Sequence, residues 1–123
     1  MNDLVPFLVI LSRVCMGGFF LFAGIANTRS VDVIVAQLRR PVPQPRLLVM
    51  AGIAIQIVAG AMLVLSIWPA LGALALIVFI VAAVYLFHDF WNVKGAERAG
   101  HINSVLSDVG LVGGFLAIIA TAI

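Results

Sequence analysis

LVPFLVILSRVCMGGFFLFAGIA, residues 4–26, is apolar throughout except for Ser12 and one arginine, Arg13, near its middle. No other charge lies between Asp3 and Arg29. A helix crosses the bilayer core with about 20 mostly apolar residues, so this stretch is long enough to span. Arginine stays protonated in proteins. At a bilayer centre it costs about 2.5–3.5 kcal/mol on insertion scales. Arg13 must therefore reach the surface, face a bundle interior or find an acceptor, and the rest of the chain is expected to supply the bundle.

Three further stretches meet the same length requirement. They are about 46–66, containing LLVMAGIAIQIVAGAMLVLS, about 69–90, from PALGALALIVF to AAVYLFHDF, and about 103–123, ending in GLVGGFLAIIATAI. With the first span at about 5–27, the expectation is an all-α integral membrane four-helix bundle forming a single domain over 1–123. Backbone groups in lipid must bond internally, which selects helices over open strands. The composition agrees: the 123 residues are 64% hydrophobic and 10% charged, with mean hydropathy +1.25. A soluble domain is nearer 45–50% apolar and about 25% charged.

Between spans two and three only Ile67 and Trp68 intervene before Pro69, so 66–69 reads as a tight turn with Trp68 as an interfacial anchor. The connection 28–45 contains SVDVIVAQLRR, with Val31, Ile34, Val35 and Leu38 at helical spacing. It reads either as a short amphipathic interfacial helix or as an ordered loop. PVPQP at 41–45 then forces an extended lead-in. The connection 91–102, WNVKGAERAGHI, reads as a polar loop broken by Gly95 and Gly100.

Six of the seven Lys and Arg lie in these two connections: Arg29, Arg39, Arg40, Arg46, Lys94 and Arg98. The positive-inside rule places loops 28–46 and 91–102 in the cytoplasm and both termini outside. The net charge of +2 is thus a topology signal and no argument for a nucleic-acid partner. Only Asn2 and Asp3 precede Leu4, without the basic n-region of a signal peptide, so the first stretch is expected to be a retained helix. Cys15 is the single cysteine, which rules out paired-cysteine redox chemistry, and its apolar setting predicts an inert thiol.

Counting along each helix puts Arg13 roughly 12 Å below the outer edge and Gln56 roughly 15 Å from either edge. An intramembrane polar cluster of Arg13, Gln56, Asp108 and Tyr85 is therefore expected. It is either a structural fastener between helices or a functional site. Gln56 sits between Gly52 and Gly60, and Gly110 and Gly114 form a GxxxG face on the fourth span. These glycines suit close helix packing, internally or in a homodimer. His88 and His101 bracket the second loop, with Phe87, Phe90 and Trp91 beside His88. They read as an interfacial belt, or alternatively as contacts to a quinone or haem. No catalytic group and no metal cluster is expected.

SRVCMGGFFLFAGIANT at 12–28, PQPRLLVMAGIAIQIVAGAMLVL at 43–65, FHDFW at 87–91 and HINSVLSDVGLVGGFL at 101–116 together resemble the DoxX family of small four-span bacterial membrane proteins. The resemblance covers nearly the whole chain. It implies a four-helix membrane bundle in the bacterial inner membrane, in a family named for a subunit associated with thiosulfate:quinone oxidoreductase. Other members look like accessory or scaffold subunits for redox and stress proteins. The family usually has lysine where Asn27 stands, glutamate where Gln56 stands, and a Lys-Asn pair where this chain has Ser107-Asp108. A glutamate at 56 would be the natural partner of Arg13, so Asp108 is expected as a relocated counter-charge.

These readings imply a non-catalytic accessory subunit of a redox or electron-transfer complex, with the bilayer and other membrane subunits as partners and no cofactor of its own. The alternative is a quinone- or haem-binding subunit of a membrane oxidoreductase. A proton-coupled exporter of this size would need a glutamate in the first helix, where this chain carries Arg13.

Overall fold

The structure, a computed structural model, describes residues 3–88 and 94–123. Its elements are α1 (Leu4–Asn27), α2 (Val31–Ala36), α3 (Pro45–Val64), α4 (Pro69–Phe87) and α5 (Gly95–Ala122). No strand occurs among the described residues. α1, α3, α4 and α5 are each long and apolar enough to cross a membrane, so the chain is a multi-pass membrane protein.

The turns follow from local chemistry. Pro45 and Pro69 open α3 and α4 at a first-turn position, where a missing N–H costs nothing. The α3–α4 turn reverses the chain through Ser66 (φ 54°) and Trp68 (φ 45°), both left-handed. Its amides are satisfied inside the turn, by Leu65 N to Ala61 O and Ile67 N to Met62 O. Trp68 is 75% exposed at the tip, where an interfacial anchor belongs.

α2 is the short amphipathic helix of the two readings for 28–45. Val31, Ile34, Val35 and Leu38 are half-buried, while Asp32 and Gln37 face out. The chain after α2 caps α4. The Arg39 amide donates to Leu86 O at 3.0 Å, and Arg40 Nε donates to Tyr85 O at 2.8 Å. These carbonyls at a helix C-terminus lack intrahelical donors, and a cation there also complements the helix dipole.

α5 differs from expectation. It begins at Gly95, two turns before residue 103, so the second connection is shorter than 91–102. Gly95 lies at its first position with φ +70°. Ala96, Glu97, Arg98 and Ala99 are compatible with helix, and one interior glycine, Gly100, costs only about 1 kcal/mol. Glu97 in the first turn suits the positive end of the dipole. α4 is correspondingly shorter than the expected 69–90, ending at Phe87 with His88 as its cap residue.

The four long helices form a ring, α1 on α3, α3 on α4, α4 on α5, with α5 returning to α1. Phe20, Ala59, Leu63, Ala73, Leu76, Ile80, Phe115 and Ile118 fill its centre. Phe20 is the hub, 5.5 Å from the Phe115 ring and 6.2 Å edge-on to Phe79.

Candidate functional site

The register of α1 on α3 decides which polar residues meet. Gly17 lies against Gly60 and Leu63, so close that a Cβ there would sit 2.6 Å from both Gly60 O and the Leu63 Cβ. One heptad later a Cβ on Gly24 would meet Ile57 at 2.8 Å and the Gln56 Cβ at 3.0 Å. Gln56 is therefore level with Gly24 and Asn27. Arg13 lies about 16 Å further along α1, at the level of the α3–α4 turn.

The expected cluster does not form. No hydrogen bond joins any two of Arg13, Gln56, Asp108 and Tyr85 among the described residues. The Gln56 Oε1 accepts from Asn27 Nδ2 at 3.2 Å. The Tyr85 ring, with the residue 55% exposed, carries the Arg40 guanidinium 3.9 Å above its centroid. Asp108 lines a small α4–α5 groove with Ile80, Val84 and Val112, and its charge acts on His88. Arg13 is partly exposed, and its buried Nε has no partner among the described residues. Arg13 and Gln56 are not level because the Gly17 and Gly24 contacts set α1 against α3 in a register that separates them by about 16 Å.

On the loop side, residues of α2, α3 and α4 together line a gap. The result is a cleft of about 410 Å³. Its walls are apolar, with Ile34, Leu38, Val49, Ile53, Phe79 and Leu86 among them. Four polar residues are among those that line it: Asn27, Gln37, Gln56 and His88. Gln56, at 6% exposure, is the buried polar residue of the described core, and its amide nitrogen donates to no described residue.

At the mouth, His88 Nδ1 and His101 Nδ1 are 3.0 Å apart, so one donates and the other accepts. The two rings meet edge-on, their centroids 5.2 Å apart and their planes 61° apart. Glu97 continues the chain, 3.9 Å from His101 Nε2 and 3.1 Å from Arg39 Nη1. Burial first, then the neighbouring His101, holds the His88 imidazole below its ordinary pKa, with Asp108 opposing. Trp91, the third residue of the possible cofactor contact, lies outside the described residues, as do Asp89 and Phe90. Among the described residues no group of three or more His, Cys, Asp or Glu is placed to hold a metal.

The packing glycines divide. Gly60 is the other half of the Gly17 crossing, with Gly17 O 2.7 Å from its virtual Cβ. Gly52 faces the Phe79 ring and Gly114 the Met16 methyl. Gly110 has open space around it, so Gly110 and Gly114 do not share one internal contact. Sequence reasoning missed Gly17 and Gly24, whose heptad spacing on an apolar helix was the available signal.

Four apolar spans, a ring of helices and a polar-floored cleft on the loop side define a small polytopic membrane bundle. The DoxX family model matches residues 8–89, two thirds of the chain, and the chain belongs to that family. No curated protein and no solved structure matches it. The family resemblance placed lysine at 27 and glutamate at 56. Those two positions face each other here, as a neutral pair in which Asn27 Nδ2 donates to Gln56 Oε1.

Proposed function

We propose that this chain is a non-catalytic accessory subunit of the bacterial inner membrane that packs against another subunit of a redox or electron-transfer complex. The observation that carries this is the overhang of α1. α3 runs for 20 residues, about the 30 Å of a hydrocarbon core. With Arg13 level with the α3–α4 turn, Leu4 to Ser12 extend about 14 Å beyond it. Tilting α1 by an average 20° shortens it by only about 2 Å. This overhang is strongly apolar: Val5 is 62%, Phe7 60% and Ile10 53% exposed.

A partner helix lying along the overhang covers that surface, and a carboxylate on it gives Arg13 the acceptor it lacks. Pairing one guanidinium with one carboxylate is geometrically specific. The redox association is supported by family membership alone. The six loop cations support the inner-membrane orientation, with loops cytoplasmic and termini outside.

The test places a photo-crosslinking residue at Ile10 in cells, followed by purification in mild detergent and mass spectrometry. One stoichiometric membrane partner, lost in Arg13→Leu, is the expected result. Adducts to lipid alone would overturn the reading.

A further inference from the structure

We infer that the cleft between α3 and α4 is a binding site for an uncharged lipophile whose head carries a carbonyl oxygen, with the Gln56 amide as the donor that holds it. The inference is independent of the accessory reading and is tested on the purified chain without partners.

Size and access come first. About 410 Å³ lies within the roughly 300–1,000 Å³ of small-molecule sites. The cleft opens on the outer surface of the bundle, where Leu48, Ile55 and Val78 are 39%, 39% and 60% exposed. In a four-span protein that surface meets acyl chains, so a ligand enters sideways from the bilayer.

Charge decides the head group. Among the described residues no Lys, Arg, Asp or Glu lines the cleft. A charged head would enter unpaired, which a low-dielectric site penalises heavily. Hydrogen-bond capacity then decides its polarity. The Gln56 side chain has one acceptor oxygen and two N–H donors. The oxygen is engaged by Asn27, and neither donor has an acceptor among the described residues. The Gln56 nitrogen is reachable from the cleft rather than sealed in the core, so a ligand that covers it without offering an acceptor leaves a donor unmade, which is costly. The bond from Asn27 orients the Gln56 amide with its oxygen toward Asn27. An alkyl chain alone fills the apolar walls and leaves the donors unsatisfied. A ketone or ester carbonyl satisfies both requirements.

Two sources share this chemistry, an alkyl quinone and a neutral glyceride. The experiment uses the full chain in nanodiscs of a saturated phosphocholine. Decyl-benzoquinone, dioctanoylglycerol, dodecane and decanoate are titrated separately, with the thermal unfolding midpoint and native mass spectrometry as readouts. At least one carbonyl probe is expected to raise the midpoint saturably, and dodecane and decanoate are not. Whichever carbonyl probe acts identifies the source. Gln56→Leu should weaken that binding about tenfold, the worth of one such hydrogen bond. Ala82→Phe, at an exposed lining position away from the amide pair, should abolish it while leaving the unliganded midpoint unchanged. Equal stabilisation by dodecane, binding unaltered in both variants, or no binding of either carbonyl probe would overturn the inference.

Discussion

Gly17→Ala puts the α1–α3 register to the test. The added methyl carbon would lie 2.6 Å from Gly60 O and from the Leu63 Cβ, against ordinary contacts of 3.4 Å or more. Gly60 O is backbone, so the clash cannot be relieved by a rotamer change. α1 must move off α3 by about 0.8 Å, a gap that forfeits roughly a quarter to a half of each atom pair's attraction. Overpacking of this kind costs about 1–3 kcal/mol. The better helix propensity of alanine returns at most about 1 kcal/mol. With that return in full, the net expectation is a loss of about 0–2 kcal/mol. Gly18 is the internal control, since a Cβ there meets nothing within 4 Å. Gly18→Ala should be neutral or slightly stabilising. Reversible unfolding in mixed micelles, followed by far-UV circular dichroism, measures both variants. Equal stability of Gly17→Ala and Gly18→Ala would refute the crossing, and with it the placement of Arg13 at the turn.

Three other expectations follow from the loop-side half. Gln56→Glu alone should destabilise by about 3–5 kcal/mol, the cost of an unpaired buried charge, and adding Asn27→Lys should recover more than half of it in a double-mutant cycle. The His88 pKa is held below its ordinary 6.5, so its neutral form stabilises the fold above that pH. That stability should disappear as pH falls through the lower folded value, and melts from pH 7.5 to 5 should show the loss in wild type and a flatter profile in His88→Gln. A C-terminal alkaline phosphatase fusion should be active and a C-terminal fluorescent-protein fusion dark, because both termini are expected outside; the reverse pattern would invert the topology.

The four spans and the tight turn before Pro69 were legible from the chain alone, while for α2 the helical spacing left helix and ordered loop both open. Each depends on a constraint acting within one segment: the length needed to cross a bilayer, the missing proline N–H, the period of a helix face. The start of α5 was not, because Gly95 and Gly100 read as breakers and a single glycine costs too little to stop a helix. The partners of the polar residues were hidden for a different reason. Whether Gln56 faces Arg13 or Asn27 depends on how far α1 slides along α3. That slide is set by close backbone contact at Gly17 and Gly24, with partners distant in sequence. Glycine declares permission for such contact without naming its mate. The mate is chosen when two helix surfaces pack to density, and a slip of one heptad moves every polar group by about 10 Å. That packing carries Arg13 to the turn and leaves Gln56 with Asn27 at the floor of the cleft.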